Sequence, residues 1–433
     1  MTRDAPTVRV IVVNYNGGDM TLACLRAVAA TEWPNDSLEI VLVDNASSDG
    51  VVDAVRAMDR VVTMRSESNL GFAGGANLGL RDLPPTTSYV ALVNNDVTVP
   101  REWLAPLVDT LEADPDRGAA CPKILLEDHY EALELHGDAV RVSLLDRRAV
   151  TVRVSGARVG GNDAFRRIRF ADGFFGPEFA PGDPLPAQWA SADATLLVPT
   201  VAGETVRELR LSAPRPGRVR LRVGATEQTA DVGPTPRWVP LPAPQEGFDV
   251  INNVGSEVQP DGYVRDRGYL ERDRGQYDTS EDVDVWCGAA VLLPAAYVRS
   301  VGVFDDRLFA YYEDVDLALR GRGQWRYVTV PASVVRHVHM ATSASSAQRA
   351  LYFNERNRLL VLRRHGTRAA SAREVGRFTA ITLSYLRRDV VARVIARRRP
   401  SWTVTATRLR ALHDCLRIWS GLGRRRAWTP RWS

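Results

Sequence analysis

The sequence of 433 residues is poor in cysteine, in lysine and in long apolar runs, and each shortage excludes a class of protein. The cysteines lie far apart, at Cys24, Cys121, Cys287 and Cys415. None forms a CxxC pair, so they predict neither a zinc site nor a disulfide framework, and a reducing cytosol is expected. No run approaches the roughly 20 consecutive apolar residues of a membrane span. The first residues, MTRDAPTVRV, also lack the apolar stretch of a secretory signal.

Positive charge comes almost entirely from arginine and is concentrated at the end of the sequence. Residues 371–433 contain fifteen arginines and three acids, whereas the whole chain has a formal net charge of only +4. Apolar residues recur there at helical spacing, at Phe378, Ile381, Tyr385, Leu386, Leu409, Leu412, Leu416 and Trp419. A basic amphipathic helix favours an anionic membrane surface, and the alternative is a solvated helical cap. We therefore expect a cytoplasmic protein, peripheral on the inner face of the membrane.

Apolar, β-branched runs alternate with helical stretches over the first 130 residues. The runs at 8–13, 38–43, 61–64 and 89–93 predict strands, and each is followed by a segment with helical periodicity. Nearly continuous apolar strands separated by helices are typical of a buried, mainly parallel sheet with helices on both faces. The sequence therefore predicts an α/β fold.

A middle segment of about 110 residues interrupts this pattern. Between 137 and 247, prolines and glycines cluster and apolar residues alternate with polar ones, as in RVRLRV at 218–223, which predicts a β-sandwich. The α/β pattern resumes after it, so the sandwich is inserted. The chain is accordingly divided into two α/β halves, 1–136 and 248–368, the inserted sandwich, 137–247, and the basic amphipathic helical tail, 369–433.

Polar residues follow the ends of three predicted strands. They are Asn14-Tyr15-Asn16, Asp44-Asn45 and Asn94-Asn95-Asp96, and a loop with three glycines, 69–77, follows the remaining strand. Each cluster alone could be turn chemistry, but ligands of such sheets bind outside the carboxyl ends of the strands, so together they predict a ligand site. There is no G-x-G-x-x-G turn after the first strand and no Walker A sequence, which argues against dinucleotide cofactors and P-loop hydrolysis.

A second group of chemically active residues follows the insertion. Glu313 and Asp314 open a predicted helix, whose dipole stabilises carboxylates in its first turn. One acid could serve only as a cap, while an ionised Asp projecting into the cleft would suit a general base. His337 and His339 end a predicted strand, and His337 paired with Asp96 could complete a divalent-metal site.

Seven motifs occur in a fixed order: VVNYNG (12–17), VDNASSDG (43–50), NLGFAGGANLG (69–79), VNNDV (93–97), WCGAAVLL (286–293), FDDRLFAYYEDVDLALR (304–320) and VVRHVH (334–339). Together they resemble the family 2 glycosyltransferases of GT-A fold, in particular the rhamnosyl- and galactofuranosyltransferase-like branch of bacterial polysaccharide assembly. The resemblance covers about residues 7–130 and 250–365. It leaves the sandwich and the tail outside the shared core.

This resemblance implies an inverting transfer from a nucleotide-activated sugar, with UDP or dTDP as the nucleotide. Asp44 would hold the base or ribose, and Asn69 and Gly71 would approach the donor sugar and diphosphate. The rest of the implied donor set is Asn14, Tyr15, Asn16, Asn45, Asn94 and Asn95. Asp96 is the one carboxylate of the family's metal motif here, a departure from a full D-x-D, and His337 matches its metal histidine. These two would bind Mg²⁺ or Mn²⁺, which neutralises the diphosphate leaving group.

The same resemblance assigns the catalytic base to Asp314 and the acceptor side to Trp286, Gly288 and Glu313. The expected acceptor is a hydroxyl of a glycan or lipid-linked glycan in cell-envelope polysaccharide synthesis, and no nucleic-acid partner is expected. Two alternatives stay open. A nucleotidyltransferase would normally have a basic loop after the first strand, but the turn at 12–18 has no Arg or Lys. In a carbohydrate-binding protein with a vestigial core, the sandwich would do the binding, although Asp96, Asp314 and His337 are retained.

Overall fold

The computed structural model describes residues 5–58, 60–143, 145–179, 185–339, 347–397 and 399–422. Its first strands are β1 (Val8–Asn14), β2 (Leu38–Asp44), β3 (Val61–Arg65), β4 (Tyr89–Asn94), β5 (Val97–Thr98) and β6 (Arg117–Leu126). The helices among them are α1 (Asp19–Ala29), α2 (Val51–Val55), α3 (Gly71–Leu80) and α4 (Leu104–Glu112). The predicted alternation of strands and helices is therefore confirmed over this region.

The strands of the middle segment and of the second half follow in chain order. Those of the middle segment are β7 (Tyr130–Gly137), β8 (Val140–Ser143), β9 (Asp146–Val150), β10 (Arg153–Val159), β11 (Asn162–Asp163), β12 (Arg169–Phe170), β13 (Gln188–Trp189), β14 (Asp193–Pro199), β15 (Arg207–Ser212), β16 (Gly217–Val223), β17 (Thr226–Val232) and β18 (Arg237–Pro240). The later strands are β19 (Ile251–Asn253), β20 (Ser256–Val258), β21 (Val264–Asp266), β22 (Asp282–Val283), β23 (Ala290–Pro294) and β24 (Arg326–His337). The later helices are α5 (Ala295–Val301), α6 (Glu313–Gly321), α7 (Ala347–His365), α8 (Arg368–Tyr385), α9 (Ala392–Ile395) and α10 (Thr403–Leu422).

A mixed sheet forms the centre of the molecule, with the strand order β22-β24-β6-β23-β4-β1-β2-β3 and with β19 and β5 pairing at its side. Strands β1 to β4 are parallel to their neighbours within this set, while β23 runs antiparallel to β4. Alternate residues of β1 enter two different cores: Val10 and Val12 pack with α1 and α4, whereas Ile11 and Val13 pack with α3 and the later helices. Helices therefore cover both faces of the sheet, as the apolar strands predicted.

The middle segment folds into two packed sheets, as expected for the inserted β-sandwich. One sheet has the order β12-β14-β7-β16-β17, and the other has β11-β10-β15-β18 with β13 beside β10. Their facing sides share one apolar core that includes Leu133, Leu196 and Leu221. Strand β7 begins at Tyr130, so the structure gives the sandwich a strand that the division at residue 137 left in the first half.

In the described ranges 369–397 and 399–422, the tail packs against the α/β core, while the rest of the predicted tail lies outside the described residues. Helix α8 starts at the N-cap Thr367, whose hydroxyl accepts a hydrogen bond from the Ala370 amide, and continues through a π-helical turn, Leu386–Val391, into α9. Phe378 is buried under the Arg408 guanidinium, which forms a buried ion pair with Glu355 of α7. Phe378, one of the apolar residues at helical spacing in this segment, therefore packs into the core.

Within the described ranges, no helix combines the length and apolar character that a bilayer crossing requires.

Candidate active site

The sheet brings the polar strand ends together, as the sequence predicted. In the β1–β2 register Asn14 pairs with Asp44, and in the β1–β4 register Val13 pairs with Asn94. The carboxyl ends of these strands therefore lie at one edge of the sheet, where ligands of parallel α/β sheets bind.

Asn14 is fully buried and uses its side chain to hold the loops around it. Its Oδ1 accepts hydrogen bonds from the Gly17 amide (3.0 Å) and the Thr21 hydroxyl (2.8 Å). Its Nδ2 donates to the Ser47 hydroxyl and to the Asp49 carboxylate, both at 3.1 Å. Since these contacts occupy the amide, Asn14 orders the surrounding loops in this structure.

Asn45 has the same role in the glycine-containing loop. Its Nδ2 donates to Asn69 Oδ1 (3.1 Å) and to the Gly71 carbonyl (2.9 Å), and its Oδ1 accepts from the Leu70 amide (2.9 Å). Gly71 has φ +73°, and a Cβ there would lie 2.3 Å from the carbonyl oxygen of Phe309. The glycine is therefore required both by its backbone conformation and by the close approach of a second loop.

The remaining residues near the first two strand ends differ in accessibility. The Asp44 carboxylate is buried, and its Oδ2 lies 3.3 Å from Nε of the exposed Arg65. Tyr15 is exposed, and Asn16, which is also exposed, accepts the Ser48 amide at its Oδ1 (2.8 Å). Tyr15 and Asn16 are thus open to a ligand from this edge, while Asp44 lies behind Arg65.

Asp96 and His337 meet in the interior, as the sequence predicted. Their nearest atoms, Asp96 Oδ1 and His337 Nε2, are 3.1 Å apart, and His337 Nδ1 lies 2.8 Å from Asn252 Oδ1. Burial alone would raise the pKa of Asp96, but the charge and hydrogen bond of His337 hold it below its ordinary value. Asn94 and Asn95 precede this pair, and Asn95 donates to a threonine hydroxyl of α1 at 2.9 Å.

This pair fits a divalent metal that is completed by a substrate. If Nδ1 of His337 donates to Asn252, Nε2 is left as the ligand atom facing Asp96, an arrangement in which an outer partner orients a metal-binding histidine. Among the described residues, no cluster of three or more His, Cys, Asp or Glu side chains could hold a metal. A site with few protein ligands suits Mg²⁺ or Mn²⁺, which take their other ligands from water and substrate phosphates.

The loop before Asp314 has a strained backbone. Phe309, Tyr311 and Tyr312 have φ between +67° and +68°, a region that L-residues rarely adopt. Two buried side chains of α7 hold it: Asn357 donates to three carbonyls of the loop at 2.7–2.9 Å, and Arg356 donates to two carbonyls near its start. The strained loop is therefore held in place by two side chains of α7, which lie 46 to 49 residues further along the sequence.

This strained loop also contacts the segment 69–77, which was predicted as a loop but forms the start of helix α3 from Gly71 onwards. The carbonyl of Phe309 accepts the Ala73 amide at 3.0 Å. The first turn of α3 and the entry to α6 are thereby joined by a backbone hydrogen bond.

Asp314 is held by backbone donors on the inner side of α6. Its Oδ2 accepts the Gly288 amide (2.9 Å), and its Oδ1 accepts the Val315 amide (2.7 Å). Burial raises the pKa of Asp314 above its ordinary value, although both amides act to lower it. A carboxylate that is oriented by donors and has a raised pKa is suited to accept a proton.

Two further acids lie near Asp314. Burial and then the charge of Asp314 raise the pKa of Glu313 to about 8, and Oε2 of Glu313 lacks a hydrogen-bond partner among the described residues. Burial also raises the pKa of Asp266, whose Oδ1 accepts hydrogen bonds from Asn253 Nδ2 and the Ser256 hydroxyl, both at 2.8 Å. The second half thus contributes a carboxylate cluster whose charges repel one another.

The acceptor-side prediction is corrected at one residue. Trp286 is fully buried, and its ring packs in the apolar core edge-on to Phe304 at 6.3 Å. Gly288 does lie beside Asp314, and Glu313 is buried next to it. The ring of Trp286 therefore does not line the acceptor side in this structure.

Sequence reasoning missed several residues of the site. They are Asn252, Asn253 and Asp266 after the sandwich, and Arg356 and Asn357 of α7. The first three lie in short strands without apolar periodicity. A signal for the last two was present, since the polar run NERNR at 354–358 interrupts the apolar face of a helix.

Comparison with known proteins agrees with this architecture. Residues 9–164 match the model of the family described as Glycosyl transferase family 2. The chain is 28% identical over 115 residues to glycosyltransferase AglE of Haloferax volcanii, which is 26% of this chain and 37% of that protein. The chain thus spans little more than a third of the curated relative it matches.

Two solved structures show partial likeness. TarS of S. aureus, residues 1–349 in complex with UDP-GlcNAc, is 22% identical over 27% of this chain and 34% of that chain, with a TM-score of 0.25. GalNAc-T7 with UDP, GalNAc and Mn²⁺ is 14% identical over 83% of this chain and 48% of that chain, with a TM-score of 0.43.

The family match and the sheet together confirm the predicted fold class. Residues 9–164 match a family 2 glycosyltransferase domain, and the chain has the GT-A type of mainly parallel sheet with helices on both faces, an inserted β-sandwich and C-terminal helices. The broader part of the resemblance, the glycosyltransferase family, is thereby supported.

Proposed function

We propose that this protein is a metal-dependent, inverting glycosyltransferase that moves a sugar from a UDP- or dTDP-linked donor to a hydroxyl of a glycan. The observation that carries the proposal is the hydrogen bond between Phe309 and Ala73, which joins the loop before Asp314 to the donor loop of the region that matches family 2. This hydrogen bond fixes the loop before Asp314 relative to the strand ends where the donor is proposed to bind. Transfer requires the base and the donor to be held in a fixed relative position.

In the proposed reaction Asp314 accepts the proton of the acceptor hydroxyl. The acceptor oxygen then attacks the anomeric carbon, the bond to the diphosphate oxygen breaks with its electron pair, and the configuration inverts. The amides of Gly288 and Val315 keep the carboxylate oriented, and its raised pKa makes it a stronger base than an exposed aspartate. A divalent metal held by Asp96 and His337 would neutralise charge on the leaving diphosphate.

We further assign the acceptor to a glycan or lipid-linked glycan of cell-envelope polysaccharide synthesis, in the rhamnosyl- or galactofuranosyltransferase-like branch. The carboxyl groups of Asp266 and Glu313, close to Asp314, are suitable hydrogen-bond partners for sugar hydroxyls. The sandwich supports a binding role less well, because the face of Trp238 is covered by the Arg158 guanidinium at 4.0 Å.

Peripheral contact with the inner face of the membrane is also part of the proposal, through an apolar strip on the tail. The strip consists of exposed side chains of the α8–α9 helix and the turn after it: Leu383, Val391, Val394, Ile395 and Trp402. Trp402 returns beside this helix because the Ser401 amide donates to the Asp389 carbonyl at 2.9 Å. Aliphatic side chains with a nearby Trp are typical of a helix lying at a lipid interface.

The charge around the apolar strip fits an anionic lipid surface. Arg387 and Arg393 are half-buried and Arg397 is exposed in the same segment, while its two acids, Glu374 and Asp389, are buried. The exposed face from 372 to 397 therefore carries arginines and no carboxylate, and each arginine near an anionic surface contributes about 1 kcal/mol.

Vesicle sedimentation tests the membrane contact. We expect the full chain to bind phosphatidylglycerol vesicles more tightly than phosphatidylcholine vesicles, and the double change Val394→Asp and Ile395→Asp to weaken binding by about tenfold or more. Val206→Asp is the matched control, because Val206 is exposed but lies in the sandwich. Equal vesicle binding by the double variant and by Val206→Asp would contradict the proposed membrane contact. A change of oligomeric state in the double variant would assign the strip to a second copy of the chain.

Thermal shifts with UDP-, dTDP- and GDP-sugars, each with Mn²⁺ and with EDTA, test the donor site. A ligand at about 100 times its Kd should stabilise the protein by about 2.7 kcal/mol. We expect one nucleotide class to give a metal-dependent shift that Asp96→Ala removes. If Asp96→Ala weakens nucleotide binding as much in EDTA as in Mn²⁺, the assignment of Asp96 to a metal site is wrong. No shift with any nucleotide, together with glycan binding, would favour the carbohydrate-binding alternative, and binding of free nucleoside triphosphates would favour a nucleotidyltransferase.

A further inference from the structure

One arginine of the inserted sandwich reaches the end of strand β24. The guanidinium of Arg169 donates from Nη2 to the carbonyls of Val338 (3.0 Å) and His339 (3.4 Å). From Nη1 it donates to the carbonyls of Arg166 (2.8 Å) and Ile168 (3.1 Å) within the sandwich. A single side chain thereby links two carbonyls of the sandwich to two carbonyls that follow His337.

The segment that Arg169 holds, the His337–His339 turn, contains the expected metal histidine. Val338 donates its amide to the backbone carbonyl of Asp96 at 3.0 Å, so the turn is attached to the β4–β5 connection on one side and to Arg169 on the other. His339 has φ +52°, an uncommon conformation for a residue with a Cβ, and its ring packs edge-on to that of His337 at 5.3 Å. Such a turn persists only where its surroundings hold it.

The chemistry of Arg169 suits this position better than that of a lysine. The side chain is buried and lies 6.0 Å from the ring of Tyr130, in the contact between the sandwich and the α/β core. No carboxylate in the described ranges forms an ion pair with it, so its neighbours are neutral carbonyls. A planar guanidinium can donate to several acceptors in fixed directions, whereas an ammonium group is a single point with three donors.

We propose that Arg169 is a positioning residue through which the inserted sandwich holds the His337–His339 turn in the geometry needed for metal and donor binding. The turn itself is observed, and its part in donor binding rests on the proposed function. On this basis the sandwich is a structural part of the donor site. Outer-shell groups that orient a metal-binding histidine typically change metal affinity by about 10–100-fold when they are removed.

Hydrogen exchange tests the positioning role without any substrate. In Arg169→Ala we expect the Val338 amide to exchange about tenfold faster, while amides of β14 inside the sandwich keep their protection. Arg169→Lys should give an intermediate rate. The matched control is Arg167→Ala, because Arg167 also crosses from the sandwich to the core, through its pair with Asp128, but does not contact the turn. Overall folding of each variant is checked by its melting temperature.

Titration with UDP and with dTDP then tests the consequence for binding. In Arg169→Ala we expect affinity measured with Mn²⁺ to fall by about tenfold and affinity in EDTA to change by less than about twofold, a split that general destabilisation would not produce. If Val338 exchanges alike in Arg169→Ala and Arg167→Ala, the inference is overturned. If the exchange rises in Arg169→Ala but even the unmodified protein binds no nucleotide, the positioning role stands and the proposed function fails.

Discussion

The proposed donor side, at the ends of β1 and β2, and the acid cluster around Asp314 lie against each other but are built in opposite ways. On the donor side, the buried amides of Asn14 and Asn45 have their polar atoms paired within the protein. Around Asp314, three carboxylates have raised pKa values and Glu313 has a buried oxygen without a described partner. The first region is organised for rigidity, whereas the second keeps unfavourable electrostatics that a substrate or a proton can relieve.

The largest expected effect comes from Asp314→Asn. Because the amide of asparagine cannot take up the proton of the acceptor hydroxyl, kcat should fall by about 10²–10⁴. The nucleotide Kd should stay unchanged, since Asp314 lies outside the donor loops. Steady-state kinetics and nucleotide titration check this, with Asp306→Asn as a control, an exposed acid of the preceding loop. Normal turnover in Asp314→Asn would show that Asp314 is not the catalytic base. The acid cluster would then have a role other than proton transfer.

Next in size is the change Asn45→Ala on the donor side. It leaves the Leu70 amide and the Gly71 carbonyl without their partner, so we expect a loss of about 2–4 kcal/mol in the free energy of unfolding. Urea unfolding measures it, and Asn162→Ala, at an exposed position of the sandwich, should cost less than about 0.5 kcal/mol. A small effect at Asn45 would show that the donor loops do not depend on their internal amides.

Glu313→Gln should have a smaller effect, with a distinctive pH dependence. The pKa of Glu313 is raised on folding, so between its unfolded value near 4.5 and about 8 the folded state binds the extra proton. Stability is therefore lost as pH rises through this range, and the glutamine should relieve this loss.

We expect Glu313→Gln to gain about 1–3 kcal/mol at pH 8.5 and nothing at pH 4, measured by unfolding at both values. Glu102→Gln, at an exposed position, serves as the control. A gain that is the same at both pH values would mean that packing, and not charge, is responsible.

The smallest effect is expected for Gly288→Ala. A Cβ there would lie 3.1 Å from Asp314 Oδ2, so the carboxylate must move by a few tenths of an ångström. We expect kcat to fall by about two- to tenfold with less than about 1 kcal/mol of destabilisation. Gly217→Ala, where a Cβ meets nothing within 4 Å, is the matched control. Unchanged turnover would show that the acid cluster tolerates more movement than its hydrogen bonds suggest.

Local sequence patterns were sufficient for the architecture and for the clustering of polar strand ends at one edge of the sheet. Strand ends such as Asn14 and Asp44 are predictable because apolar runs mark each strand and parallel strands end at one edge. The predicted pairing of Asp96 with His337 is present in the structure, which also places Asp314, the proposed base, beside Gly288.

The remaining parts depend on contacts between distant segments. Asn252 reaches His337 across 85 residues, and Arg169 reaches Val338 across 169, so no local spacing could reveal either pair. Trp286 was misplaced because its motif was interpreted as facing the acceptor, whereas the chain turns its ring into the core. The helical spacing of Phe378 identifies an apolar face of the tail but not that the α/β core covers this side chain.

The single lysine of the sequence has a practical consequence for labelling. Lys123 lies on strand β6, is almost completely buried, and is held by Asp273 at 3.0 Å and by Asp278. Amine-reactive reagents therefore meet no accessible lysine side chain in the folded protein. Acylation of Lys123 would report directly on opening of the segment around Asp273, because each modified molecule must first have released that ion pair.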